Sequence, residues 1–252
     1  MLEDWNNTII RIEPTRIVAK VGTSHFRDAR LGSLERELAV AVHLATRGAP
    51  ATQPTREVPA GPHHYRGLTL TLWQYVDPIP GASVAPGQMA TALTLVHDAL
   101  ADFKPPLPQF ILELDDARRL LQRQRTPALE PADRRYLLDT VSELETALGS
   151  LGGAWQPLHG SPHAANWLPS QDGPLLLDFE TACQGPVEWD LAALADDALA
   201  RFPAADHELI SMMRRMRSVC VAAKCWVAPE RAPEVREAAE VHLNLLRGEQ
   251  PD

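Results

Sequence analysis

The chain has 252 residues, 45% of them hydrophobic and 23% charged, with a formal net charge of −9. That length and hydrophobic content can bury a sizeable core and exclude a disordered chain. An excess of acid argues against nucleic acid as a partner, because such binding depends on neutralising phosphates, but suits a cationic small molecule. No apolar run approaches the roughly 18–20 residues that cross a bilayer, so no membrane partner is expected. The start, MLEDWNNTIIRIEP, lacks the basic and apolar regions of a signal peptide. Cys183, Cys220 and Cys225 form an odd set without a CxxC spacing. Reduced thiols in a cytoplasmic protein are the expectation.

Residues 8–12 (TIIRI) and 16–21 (RIVAKV) are β-branched runs joined by Glu13-Pro14-Thr15, the pattern of a hairpin. Ser33 is placed as the N-cap of a helix that runs to Gly48, with Leu34, Leu38, Val42 and Ala45 on one face. A Pro-rich connection leads to an alternating strand, Leu68–Leu72. After Asp77-Pro78 the composition becomes helical, with helices predicted over 87–103, 113–124 and 131–149 and prolines in the breaks. Short strands and loops fill 157–188. Helices are again predicted near 189–200, 204–226 and 231–247. The order predicts an α+β fold of two unequal lobes: a small β-rich N-lobe with one helix (1–76) and a larger, mainly helical C-lobe (77–252). Clefts between lobes commonly hold ligands.

The run from His159 to Leu191 carries the chemistry. It reads as a loop, HGSPHAAN, an apolar strand ending at Asp178, and a second loop entering a helix. That order brings Asn166 and Asp178 together at the ends of neighbouring strands. An amide and a carboxylate oxygen suit Mg²⁺, which takes hard oxygen ligands and few carboxylates. The competing reading makes Asp178 an ordinary turn carboxylate.

These pieces resemble the aminoglycoside phosphotransferase family and its choline-kinase-like relatives, which share the protein-kinase fold. His159-Gly160-Ser161-Pro162-His163-Ala164-Ala165-Asn166 is similar to the family's HGDxHxxN loop. Leu176-Leu177-Asp178-Phe179-Glu180 is similar to its metal-binding strand end, and Gly185 through Ala192 to its GxPxxDLA continuation. The resemblance implies catalytic-loop and metal roles for Ser161, His163, Asn166 and Asp178, with Mg²⁺ on Asn166 and Asp178. It implies ATP or GTP as phosphate donor, and a small-molecule hydroxyl acceptor. Lys20 resembles the phosphate-binding lysine, with Glu37 as its helix partner and Glu35 as second choice; the competing reading is a solvated edge lysine. Trp73-Gln74-Tyr75-Val76 resembles the hinge, where backbone groups around Gln74 and Val76 meet the base and the aromatic rings pack in the core. Asp190 is expected to anchor the catalytic loop, and His159 to support it.

Two departures matter. Ser161 stands where the family has its catalytic aspartate, and serine is no general base near neutral pH without an activating partner; losing such a base costs about 10²–10⁴-fold. His163 and Glu188 are the candidate substitutes. Nineteen residues precede Lys20 and none is glycine, so the phosphate-covering turn, ending at Asn6-Asn7-Thr8, is expected to be truncated and to lack close backbone contact with phosphates. The leading reading is therefore a nucleotide-dependent small-molecule phosphotransferase with weakened or altered catalysis. The alternative is a catalytically silent kinase-fold protein that binds a nucleotide or other ligand. A third reading, a helical interaction protein, rests on Met212, Met213 and Met216 among arginines. The oligomeric state is not readable.

Overall fold

The computed structural model describes residues 3–4, 7–23, 32–149 and 151–248. Its strand-rich N-terminal part and helical C-terminal part form a mixed α+β chain. The contacts divide it into two compact units, one of residues 1–108 and 155–204, the other of 109–154 and 205–252. The boundary expected near residue 77 lies inside the first unit.

In the first unit β1 (Glu3–Asp4), β2 (Thr8–Ile12), β3 (Ile17–Val21), β4 (His63–Tyr65) and β5 (Leu68–Gln74) form an antiparallel sheet in the order β1-β2-β3-β5-β4. The β-branched run Ile9, Ile10, Ile12, Ile17, Val18 and Val21 favours this pleated pairing. A two-residue β1 pairs Glu3 with Ile9 and Asp4 with Thr8. Asn6 lies outside the described residues. The register sets Ile9 opposite Lys20 and Arg11 opposite Val18; β5 continues these rows with Thr71 and Trp73. Side chains alternate along a strand. Ile9, Arg11, Val18, Lys20, Thr71 and Trp73 therefore share one face.

Helix α1 (Ser33–Thr46) buries Leu34, Glu37, Leu38, Ala41 and Leu44, a helical stripe. Ser33 is its first residue rather than its cap. Gly32 takes the cap position with φ +79, a left-handed conformation that glycine adopts without steric cost. Helix α2 (Pro86–Leu100) opens on a proline, whose missing N–H costs nothing at a helix start. Two small ribbons follow: β6 (Gln156–Leu158) pairs with β9 (Cys183–Gly185), and β7 (Trp167–Ser170) with β8 (Gly173–Leu176). The helix expected over 189–200 is instead two short ones, α5 (Val187–Leu191) and α6 (Asp196–Leu199).

The second unit consists of α3 (Leu112–Gln122), α4 (Pro131–Leu148), α7 (His207–Cys225) and α8 (Pro233–Arg247). Leu114, Leu121, Leu137, Leu144, Met213, Met216 and Val219 fill its core. Two of the three methionines in the Ser211–Arg217 stretch are thus interior packing, while Arg215 is exposed. Cys220 is also buried, and burial pushes its thiol up to about 12, which leaves it unreactive. Cys225 is half-buried, and burial raises its pKa too. Among the described residues no helix is long and apolar enough to cross a membrane.

Candidate active site

The β7–β8 hairpin sets the site. Its pairing runs from Trp167 opposite Leu176 to Ser170 opposite Gly173, and one step further the Leu177 N–H donates to the Asn166 carbonyl at 3.0 Å. The segment carrying Asp178 is thereby tied to Asn166. The strand ends at Leu176, two residues short of the expected end. Asp178 itself adopts φ 69 and ψ 64 and leads into a 3-10 turn, Phe179–Thr181. Aspartate tolerates this left-handed region better than most residues. The turn buries Phe179 completely and swings Glu180 inward, where it is 4% exposed.

Four charged side chains meet there. Lys20 Nζ lies 2.9 Å from Glu37 Oε1, 2.8 Å from Asp178 Oδ1 and 2.6 Å from Glu180 Oε1. Glu35, the second choice, is not among these partners. Lys20, Glu37 and Glu180 are buried, whereas the Asp178 side chain is 42% exposed, so Asp178 is the face this cluster turns to solvent. Burial alone would lower the Lys20 pKa. The negative charges of Glu37, Asp178 and Glu180 outweigh it and hold the ammonium well above its usual value. One ammonium cannot neutralise three acids. Burial, with added repulsion from Asp178 and Glu180 and against the pull of Lys20, pushes Glu37 up to about 8. Glu37 Oε2 is buried with no hydrogen-bond partner among the described residues.

Glu180 is further held by Asn7, whose side-chain amide donates to Oε1, and by the Ser33 hydroxyl at 3.4 Å from Oε2. Arg36 donates to its main-chain carbonyl. Asn7 thus reaches the cluster through its side chain. Glu37, Asp178 and Glu180 each offer an oxygen within 4.8 Å of the others. This hard, over-negative donor set fits a divalent cation. The Asn166 amide donates through Nδ2 to the Ser161 carbonyl at 2.8 Å, which turns its Oδ1 away from that loop.

A second polar network holds the loop. Asp190, fully buried, accepts from the His159 N–H at 3.0 Å, the Gly160 N–H at 2.8 Å and His97 Nε2 at 2.8 Å. It sits inside α5 rather than capping it. His159 accepts the Ser161 N–H at Nδ1 and donates from Nε2 to the Leu177 carbonyl, both at 3.0 Å. Only the neutral ring can make both bonds. Burial agrees, lowering the His159 pKa against the pull of Asp190. Gly160 has φ +90, and a Cβ there would stand 2.0 Å from the Thr181 carbonyl oxygen, so glycine is required.

Ser161 is half-buried, and its hydroxyl makes no hydrogen bond among the described residues. His163 is exposed, 3.5 Å from the Asn166 amide nitrogen. Glu188 lies on α5, half-buried. Neither hydrogen-bonds the Ser161 hydroxyl. The Gln74 N–H is taken by the Gln53 carbonyl at 2.9 Å, and the Tyr75 N–H by the Arg16 carbonyl at 2.8 Å. Gln74 and Val76 also border a cavity of about 660 Å³ between α2, the β7–β8 hairpin and residues 48–53. That cavity contains no residue of β2 or β3 and is separate from the Lys20 face of the sheet. Trp73 is core, 7% exposed, with its indole N–H on Thr71. Sequence reasoning placed Glu180 in the metal-binding strand end and Asn7 at the end of a turn without giving either a role, and it missed His97.

Residues 3–219 match the model of the phosphotransferase enzyme family, and the chain belongs to that family. Its fold is the protein-kinase-like one. It is similar to a choline/ethanolamine kinase family protein from Mesorhizobium loti, at 16% identity and TM-score 0.66, over 98% of this chain and 86% of the other. It is also similar to the amicoumacin kinase hAmiN, solved with AMP-PNP, Ca2+ and Ami, at 12% identity and TM-score 0.67, over 98% and 87%. A third is the GDP complex of aminoglycoside 2'-phosphotransferase-IIIa, at 17% identity and TM-score 0.65, over 97% and 91%. At such identities the likeness concerns the fold. No curated protein sequence matches.

Proposed function

We propose that the chain transfers the γ-phosphate of ATP or GTP to a hydroxyl of a small, amino-bearing molecule. The observation that carries this reading is the meeting of Lys20 Nζ with Glu37 and Asp178, beside Asn166. Phosphoryl transfer needs the triphosphate positioned and its charge neutralised more than it needs covalent chemistry. Lys20, oriented by Glu37, would take the α and β phosphates. Asn166 and Asp178 would hold Mg²⁺, with Glu180 beside them. The ion supplies charge neutralisation across the phosphates. The loop His159–Asn166, fixed by Asp190, would present the acceptor near Ser161. The nucleotides in the related structures, AMP-PNP with Ca2+ and GDP, support a nucleotide and a divalent cation here. Net acidity favours a cationic acceptor.

The unassisted Ser161 hydroxyl supports a second reading, a catalytically silent protein that binds Mg·nucleotide. Calorimetry with Mg·ATP and Mg·GTP, followed by acceptor-dependent release of the diphosphate, separates the two. Asp178→Ala abolishes release if the chain is an enzyme; unchanged turnover would eliminate this mechanism. If the missing acid limits the rate, Ser161→Asp raises turnover by about 10²–10⁴-fold. Nucleotide binding with no release in either form favours the silent protein.

A further inference from the structure

The face of the sheet that carries Lys20 also carries Arg11, one row further from the phosphate end and opposite Val18. Two residues along a strand correspond to about 7 Å, roughly the step from a phosphate to the ribose and base. Next to that row the chain leaves β5 through Tyr75, whose N–H is held by Arg16. The Arg11 guanidinium lies 4.1 Å from the centre of the Tyr75 ring, and Arg16 lies 5.5 Å from it. Arg16 is committed to the Tyr75 carbonyl and to Asp77. Arg11 has an ion pair with the exposed Glu13 at 2.9 Å, and its remaining guanidinium donors make no hydrogen bond among the described residues. A planar, donor-only cation is thus pinned by the Tyr75 ring, on the face of the sheet that carries Lys20.

We infer that Arg11 reads the base of the nucleotide and selects guanine over adenine; the inference rests on the nucleotide site proposed above. A guanidinium only donates hydrogen bonds. Guanine offers two neighbouring acceptors, O6 and N7, whereas adenine puts an amino donor where guanine has O6. Against adenine, donor meets donor, and the penalty falls on the wrong base. Tyr75 fixes the guanidinium plane before the base arrives, which lowers the ordering cost.

The test measures dissociation constants of Mg·GTP and Mg·ATP by calorimetry for the wild type, Arg11→Val, Arg11→Gln and Arg11→Lys. Ligand-free melting curves identify the variants that fold. A base-reading pair of this kind discriminates by roughly 5- to 150-fold. The wild type should therefore prefer GTP by at least about fivefold, and Arg11→Val and Arg11→Gln should bring the ratio to within about twofold. Arg11→Lys, which keeps the charge but loses the planar fork, falls between. If both nucleotides bind and the ratio ignores every folded variant, Arg11 is not the reader, and the nucleotide site stands without it. If neither nucleotide binds the wild type, the nucleotide site itself is refuted and this inference falls with it.

Discussion

Asp190 and Glu37 are both buried carboxylates of the first unit, and they are served in opposite ways. Asp190 accepts from two backbone N–H groups and a histidine, all between 2.8 and 3.0 Å. Glu37 shares one ammonium with two other acids and leaves Oε2 without a hydrogen-bond partner among the described residues. A satisfied buried network rigidifies what it holds, and here it holds the loop that bears Ser161. An over-negative buried cluster costs stability and survives where something else must complete it. The contrast separates scaffold from site more sharply than burial does, since both carboxylates are almost wholly inaccessible.

The largest effect should come from the scaffold. Asp190→Ala leaves two N–H groups and His97 without their acceptor, and losing one side of a buried charged network costs about 3–5 kcal/mol. Urea unfolding measures it; a loss below about 1 kcal/mol would mean the network is decoration. Glu37→Gln should behave differently. Glu37, raised to about 8, is mostly protonated near neutral pH, so its replacement by a neutral amide should change ligand-free stability by less than about 1 kcal/mol. The same change releases Lys20. The stabilisation from saturating Mg·nucleotide, about 2.7 kcal/mol at a hundredfold excess over Kd in the wild type, should fall by half or more. A Glu37→Gln protein as unstable as Asp190→Ala would erase the distinction between the two clusters.

Local chemistry made much of this legible. The β-branched runs of β2 and β3 and the apolar residues of α1 are local signals, and these elements formed within two residues of the expected bounds, although Val42, expected on the apolar stripe, is 48% exposed. Asn166 and Asp178 could be placed together because eleven intervening residues leave room for little but a hairpin. The split between α5 and α6 was invisible, since no glycine or proline lies between Val187 and Ala200. The inward turn of Glu180 was missed because the chain was read as extended through Asp178, whereas the left-handed Asp178 redirects it. His97 and Asn7 reach their carboxylates across 93 and 173 residues of chain. Such contacts carry no periodicity to read.

The smallest expected effect is also the one that compares the clusters in a single experiment. Burial lowers the His159 pKa below the ordinary 6.5. Its contribution is therefore present above 6.5 and is lost as pH falls through the folded value, because the unfolded ring takes the proton that the folded ring refuses. Glu37 has the other sign. Raised from 4.5 to about 8, it contributes most below 4.5, and that contribution is lost as pH rises through about 8, because the unfolded carboxyl ionises first. Of these two groups only Glu37 acts between 6.5 and about 8, so ligand-free stability should decline there, whereas below 6.5 the loss through His159 is offset by the gain through Glu37. Melting temperatures across this range, for the wild type and Glu37→Gln, separate the two contributions. The substitution should flatten the alkaline decline and uncover the acid one, because the opposing gain through Glu37 is gone. A wild-type curve that keeps rising to pH 8 would mean that Lys20 alone satisfies Glu37, and the carboxylate cluster would then be as complete as the network around Asp190.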